Sequence, residues 1–175
     1  MSVENLKNLI PDYAKDIRLN LGSVLSTGSQ GLDTKQIHVI ALASAYSTKN
    51  ATIAKELEEA AKEHISDEEL NSAKSAASIM AMNNIYYRFV HMVSDQEYGK
   101  MQAGLRMQVI GKPGIDKETF EMMTLAVSAI NGCGMCIDSH VAQLVKAGIS
   151  KQAIQSVIKI ASVVNATAQV IEIGN

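Results

Sequence analysis

Cys133 and Cys136 are the only two cysteines among 175 residues, and they stand three apart. They occur in the run Asn131-Gly132-Cys133-Gly134-Met135-Cys136, with His140 four residues further on. On a helix, a spacing of three puts both sulfurs on one face within disulfide reach. A disulfide this short closes almost no loop and adds little fold stability. In a reducing compartment the pair therefore points to redox or metal chemistry rather than to a structural bridge. Gly132 and Gly134 allow a tight reversal where one helix ends and the next begins. The cysteines then sit in the first turn of the new helix, where unpaired N–H groups and the positive dipole end favour a thiolate. The thiolate is the nucleophile of exchange chemistry.

His140 shares the face of Cys136 one turn on. The preceding helix offers Glu121, about 16 Å before the Gly132 turn at ~1.5 Å per residue. If the next helix folds back antiparallel, Cys136 lies about 6 Å and His140 about 12 Å from that turn. Glu121 then meets His140, and His140 meets Cys136. A carboxylate–imidazole–thiol chain is the general form of an activated nucleophile. It makes Cys136 the base-assisted thiol. Cys133, expected nearer the helix start and the solvent, becomes its resolving partner.

Other readings of these residues stay open. The cysteines would also serve as two small buried apolar residues. Cys-x2-Cys-x3-His supplies three zinc ligands, but no second Cys pair exists to close a structural site. Haem attachment needs His directly after the second Cys, and Ile137 stands there. Glu121 would also suit a plain helix face, half buried beside Leu125 and Ser128. His38, His64 and His91 show no partner pattern and read as structural. The pairs Met80/Met82 and Met122/Met123 read as core filler.

The elements that must position this motif are helical. Apolar residues make up 47% of the chain and charged residues 19%, with a net charge of −2. That composition fills a core, and it lacks the basic excess that a phosphate backbone requires. No apolar run reaches the roughly 20 residues of a bilayer span. The opening Met1-Ser2-Val3-Glu4-Asn5 lacks a signal-peptide pattern, so a cytoplasmic location is expected. Ala is abundant, and Pro occurs only at Pro11 and Pro113. Helices are predicted over 2–9, 11–21, 34–47, 50–64, 66–86, 116–131, 133–148 and 150–173, with Ser66-Asp67-Glu68-Glu69 as a capping box. Gly22, Gly28 and Gly31 mark one loop, and residues 95–115 a longer one. No strand pattern stands out, so the predicted fold is a single all-α domain over 1–175.

The two halves resemble each other under a shift of 84 residues. Ser44-Ala45 then aligns with Ser128-Ala129, Ile65-Ser66 with Ile149-Ser150, and Ala77-Ser78 with Ala161-Ser162. Residues 37–87 read as a repeat of 121–171. Cys133, Cys136 and His140 face Lys49, Thr52 and Glu56, so thiol chemistry belongs to the second half alone.

Several segments resemble the alkyl hydroperoxidase D family (AhpD), within the carboxymuconolactone decarboxylase-like superfamily. They are Ser2–Lys7, Pro11–Ile17, Met82-Asn83-Asn84-Ile85-Tyr86-Tyr87-Arg88-Phe89, Gly104–Met107 and Ala126–Cys133. The likeness implies an all-helical fold with a duplicated core, commonly assembled as a homotrimer. It implies an antioxidant thiol-disulfide oxidoreductase and peroxidase that reduces the peroxiredoxin alkyl hydroperoxide reductase C. Electrons would come from a dihydrolipoyl group on a 2-oxoacid dehydrogenase subunit, itself served by dihydrolipoamide dehydrogenase, with no tightly bound cofactor and no metal. The attacking family cysteine maps to Cys136. The resolving thiol and proton donor maps to Cys133, and the family glutamate and histidine to Glu121 and His140. Many members carry a histidine just before the second cysteine. Met135 stands there, which removes a proton route and implies lower peroxidase turnover. The alternative class is a non-catalytic metal-binding or interaction protein on the same fold.

Overall fold

The computed structural model describes residues 2–26 and 28–174. Nine α-helices run in order among them: α1 Ser2–Asn8, α2 Lys15–Val24, α3 Thr34–Ser47, α4 Ala51–Ala61, α5 Asp67–Met92, α6 Gln108–Gly111, α7 Lys117–Ile130, α8 Gly134–Lys146 and α9 Lys151–Ile173. Short 3-10 turns lie at Asp12–Ala14 and Gln96–Lys100. No strand occurs among the described residues, so the fold is all-α as predicted.

The helix starts follow from their caps. The Ser66 hydroxyl accepts from Glu69 N–H while the Glu69 carboxylate accepts from Ser66 N–H, closing the predicted capping box. Asn50 and Ser150 cap α4 and α9 from one side only, each side chain accepting from backbone N–H groups of the first turn. Asp33 forms a second capping box with Gln36 ahead of α3.

Three boundaries differ from expectation. Pro11 does not open α2; it precedes the 3-10 turn, and α2 starts at Lys15. Gly22 lies inside α2 rather than in a loop, with the tip of the Lys7 side chain close over it. The helix α5 runs on past Tyr86 to Met92. Of the three histidines read as structural, two meet each other: the ring centroids of His38 and His64 are 4.2 Å apart.

The core lies between α3, α5, α7 and α9, with Phe120, Leu42, Leu125, Met80 and Ile160 fully buried. The helix α9 is long and apolar enough to span a bilayer by length and composition, which corrects the expectation that no such run exists. Its apolar face packs against α2, α3 and α7, as a core helix does. Under the 84-residue shift, α3, α4 and α5 start within one residue of the starts of α7, α8 and α9. The packing exchanges the same way: α3 lies against α9, and α7 against α5. The exception is at the margin. Helix α1 packs on α4, where Asn5 Nδ2 donates to Glu56 at 3.2 Å. The corresponding side of α8, at His140, opens on a pocket.

Asp116 starts the helix that carries Glu121. Its Oδ2 accepts from Thr119 N–H at 2.9 Å and from the Thr119 hydroxyl at 2.6 Å. Burial pushes this carboxyl up, but the Thr119 hydrogen bonds and Lys35 outweigh it and hold it below the ordinary 3.8. The folded pKa is thus below the unfolded one. The stabilisation is complete above about pH 4 and is lost as pH falls through the folded value. Asp116→Ala is expected to cost about 1 kcal/mol in urea denaturation at pH 7. The difference from wild type should shrink as the titration is carried towards pH 2.

Candidate active site

Helix α7 ends, and α8 begins, on one residue. Gly132 takes φ +68°, a left-handed conformation that suits glycine. Gly132 N–H then donates to Ala129 C=O at 3.2 Å, and Cys133 N–H to Ser128 C=O at 3.1 Å. This pair of bonds is a Schellman closure of α7. On the other side, Cys133 is the N-cap of α8: Cys136 N–H donates to Cys133 Sγ at 3.3 Å. A disulfide joins Cys133 to Cys136, with Cα atoms 5.3 Å apart.

The turn is held from outside by α5 and α3. Arg88 Nη1 donates to Asn131 C=O at 2.6 Å. Asn131 Nδ2 donates to Asn84 Oδ1 at 3.0 Å, and Asn84 Nδ2 to Ser128 Oγ at 2.9 Å. Ser47 Oγ donates to Asn131 Oδ1 at 3.4 Å. The Asn131 carbonyl and its side-chain amide thus meet side chains of two other helices.

The reversal lays α8 antiparallel on α7. Glu121 Oε2 and His140 Nδ1 come within 2.7 Å, and the two residues are 5% and 7% exposed. The predicted meeting of Glu121 and His140 is therefore present in the structure. Thr124, which the sequence reading missed, adds to it. Its Oγ1 lies 3.2 Å from His140 Nδ1 and donates to the Glu121 carbonyl at 3.0 Å. With its proton committed to the carbonyl, Thr124 Oγ1 accepts from Nδ1, as does the Glu121 carboxylate. Nδ1 thus carries the proton, and the Nε2 lone pair is free for a neighbour.

Cys136 and His140, one helical turn apart on α8, line a pocket of about 510 Å³. Glu121 reaches its wall as well. Met80, Asn83 and Tyr87 of α5, Met107 and Ile110 near α6, and Met135 form much of the remainder. Lys117, Ser139 and Gln143 add polar groups.

The expected exposure of the two thiols is reversed. Cys133 is 0% exposed, whereas Cys136 is 6% exposed and faces the pocket. The cap position turns the Cys133 sulfur back onto the first turn of α8 instead of towards solvent. Met135 sits on the pocket wall in the place where a histidine was expected from the family pattern. Among the described residues no three His, Cys, Asp or Glu side chains are grouped to hold a metal ion.

Of the α5 wall residues, Asn83 and Tyr87 were legible only within the Met82–Phe89 segment, and Met80 only as core filler. Their helical spacing sorts them: Asn83 and Tyr87 share the stripe that faces the pocket, while Asn84 and Arg88 share the stripe that faces the turn.

Comparison with known proteins places this architecture. The family model described as the carboxymuconolactone decarboxylase family matches residues 96–172, which include α7, α8 and α9. An alkyl hydroperoxide reductase AhpD of Coxiella burnetii is 53% identical over 174 residues, 99% of this chain and 98% of its own. The AhpD of Streptomyces coelicolor is 52% identical over 166 residues, 95% and 92% of the two chains. That of Rhodopseudomonas palustris is 50% identical over 174 residues, 99% and 95%. With half its residues shared over nearly its whole length, and a helical Cys-x-x-Cys turn within the matched region, the chain belongs to the AhpD family of alkyl hydroperoxide reductases.

Proposed function

We propose that the protein is an antioxidant thiol-disulfide oxidoreductase with alkyl hydroperoxidase activity, working through Cys133 and Cys136. The observation that carries this reading is the buried Glu121–His140 hydrogen bond of 2.7 Å one helical turn from Cys136, in the pocket that Cys136 faces. The names of the relatives support it.

In the reduced protein, His140 Nε2 takes the Cys136 proton, and the resulting imidazolium is stabilised by Glu121. The Cys136 thiolate attacks the terminal oxygen of a hydroperoxide. An S–O bond forms, the O–O bond breaks, and the alkoxide leaves as an alcohol with the proton from His140. Cys133 then attacks the Cys136 sulfenic acid, water leaves, and the disulfide forms. Towards the disulfide of the peroxiredoxin alkyl hydroperoxide reductase C, the same Cys136 thiolate forms a mixed disulfide that Cys133 resolves. A dihydrolipoyl group on a 2-oxoacid dehydrogenase subunit, recharged by dihydrolipoamide dehydrogenase, returns the cysteines to thiols. The location that fits this network is the cytoplasm. No cofactor is held tightly in this scheme.

Cys136→Ser is expected to abolish hydroperoxide turnover with dihydrolipoamide. Cys133→Ser is expected to leave a Cys136 thiol that dimedone traps as a sulfenic acid. Full activity of Cys136→Ser would overturn the assignment.

Glu121→Gln and His140→Gln are each expected to slow thiol oxidation by about 10²–10⁴-fold in stopped flow while keeping the fold by circular dichroism. The double variant should lose little more, because groups acting as one unit do not add. Parental rates in both single variants would leave helix-start electrostatics as the sole activator of Cys136.

We extend the reading to a homotrimer. Ile85, Phe89 and Met92 form an exposed stripe on α5, with Tyr98 and Met101 exposed on the segment that follows. Light scattering at micromolar concentration should return three times 18.8 kDa; a mass of 18.8 kDa would remove the trimer from the scheme.

A further inference from the structure

A second cavity, of about 500 Å³, lies between α5 and the end of α3, and the thiol chemistry does not use it. Three cations line it, Lys49, Lys74 and Arg88, and its lining among the described residues contains no carboxylate. Arg88 Nη1 donates to the Asn131 carbonyl, and a guanidinium has further N–H groups to offer a ligand. Lys74 Nζ stands 3.8 Å from Glu58, which lies outside the lining and also accepts from the Tyr46 hydroxyl. That contact is long and partly exposed, so it offsets little of the charge. Among the described residues, Lys49 is the non-glycine residue with a positive φ, +61°. It follows the C-cap of α3, where glycine is the residue that relieves the backbone. A lysine is kept there against that strain.

The fold does not impose these charges. Under the 84-residue shift, Tyr46, Lys74 and Ala77 fall on Ile130, Ile158 and Ala161, and these three line a cavity of about 370 Å³ in the second half. Arg88 falls on Glu172. The same pairing of helices thus encloses no cation in one half and three in the other. Like charges gathered round one cavity repel one another, and an anion relieves that repulsion. Lys74 and Arg88 are about 21 Å apart along α5 at ~1.5 Å per residue, more than one phosphate group spans. Ala77 and Ala81 lie between them, small and apolar, and suit the organic part of a ligand.

We propose that this cavity binds a multiply charged organic phosphate, of the class of nucleoside diphosphates, with its charge held by Lys49, Lys74 and Arg88 and its organic part on Ala77 and Ala81. Arginine matches phosphate oxygens through its planar fork, and lysine meets them as a point charge. The site is separate from the pocket of Cys136 and does not rest on the reading of that pocket. It meets the redox turn at Asn131, whose carbonyl Arg88 holds.

The test is isothermal titration calorimetry of ADP, pyrophosphate and adenosine into the full chain as it assembles. ADP should bind, and more weakly as salt is raised to about 200 mM. Pyrophosphate should bind more weakly than ADP, because it lacks the part that lies on Ala77 and Ala81. Lys74→Gln should weaken ADP about tenfold, and Lys74→Arg should stay near the parent. Lys49→Gly suits the +61° backbone, so it should raise the thermal midpoint while it too weakens ADP about tenfold. That pairing separates a lost ligand contact from a lost fold. Arg88 is left in place because it also holds the turn. No binding of ADP to the wild type would overturn the proposal, including the case in which a neighbouring copy covers the cavity. Parental ADP affinity in Lys74→Gln and Lys49→Gly would place the binding elsewhere and overturn it as well. Adenosine as tight as ADP would remove the phosphate from the recognition, and pyrophosphate as tight as ADP would remove the organic part; either result overturns the ligand class.

Discussion

An α-helix leaves its last carbonyls and the next helix leaves its first N–H groups without partners, and a reversal within two or three residues brings both deficits to one place. Here one residue meets both. The Cys133 backbone closes α7 through Ser128, and the Cys133 sulfur caps α8 through Cys136 N–H. Gly132 supplies the positive φ that makes the pair of bonds possible. The antiparallel packing of α7 and α8 follows from this turn, and with it the meeting of Glu121 and His140 across the two helices, 19 residues apart in sequence. The chemistry and the fold therefore share an atom: the sulfur that caps α8 is also one half of the disulfide.

That economy explains why the surroundings are so heavily hydrogen-bonded. A carboxylate and an imidazole at 5% and 7% exposure are tolerated only when each finds a partner. Glu121 has His140, and His140 Nδ1 has Glu121 and Thr124. The Asn131 carbonyl and amide, which would otherwise be left by the reversal, are taken up by Arg88, Asn84 and Ser47. Helix α5 thus serves two purposes with two stripes. One fixes the turn, and the other builds the wall of the pocket opposite Cys136.

The legible part of this architecture was local. Caps at Asn50, Ser66, Asp116 and Ser150 gave most helix starts, since a cap is a contact between residues two or three apart. The Cys–Cys–His spacing and Glu121 were readable because helix rise alone sets which residues on two antiparallel helices come level. What failed was tertiary. Gly22 looked like a breaker, but it continues α2 beneath the Lys7 side chain from α1. Tyr86 looked like an end, but α5 continues to Met92. The His38–His64 stack and the burial of Cys133 depend on elements distant in sequence, and no spacing rule reports them.

The two halves differ in what packs against them. Under the 84-residue shift, His140 falls on Glu56 and Cys133 on Lys49. The shifted counterpart of the pocket wall is approached by α1, whose Asn5 bonds Glu56. On α8 the side at His140 lines a pocket of about 510 Å³ instead. The same helical frame thus carries α1 over Glu56 in one half and a pocket beside His140 and Cys136 in the other.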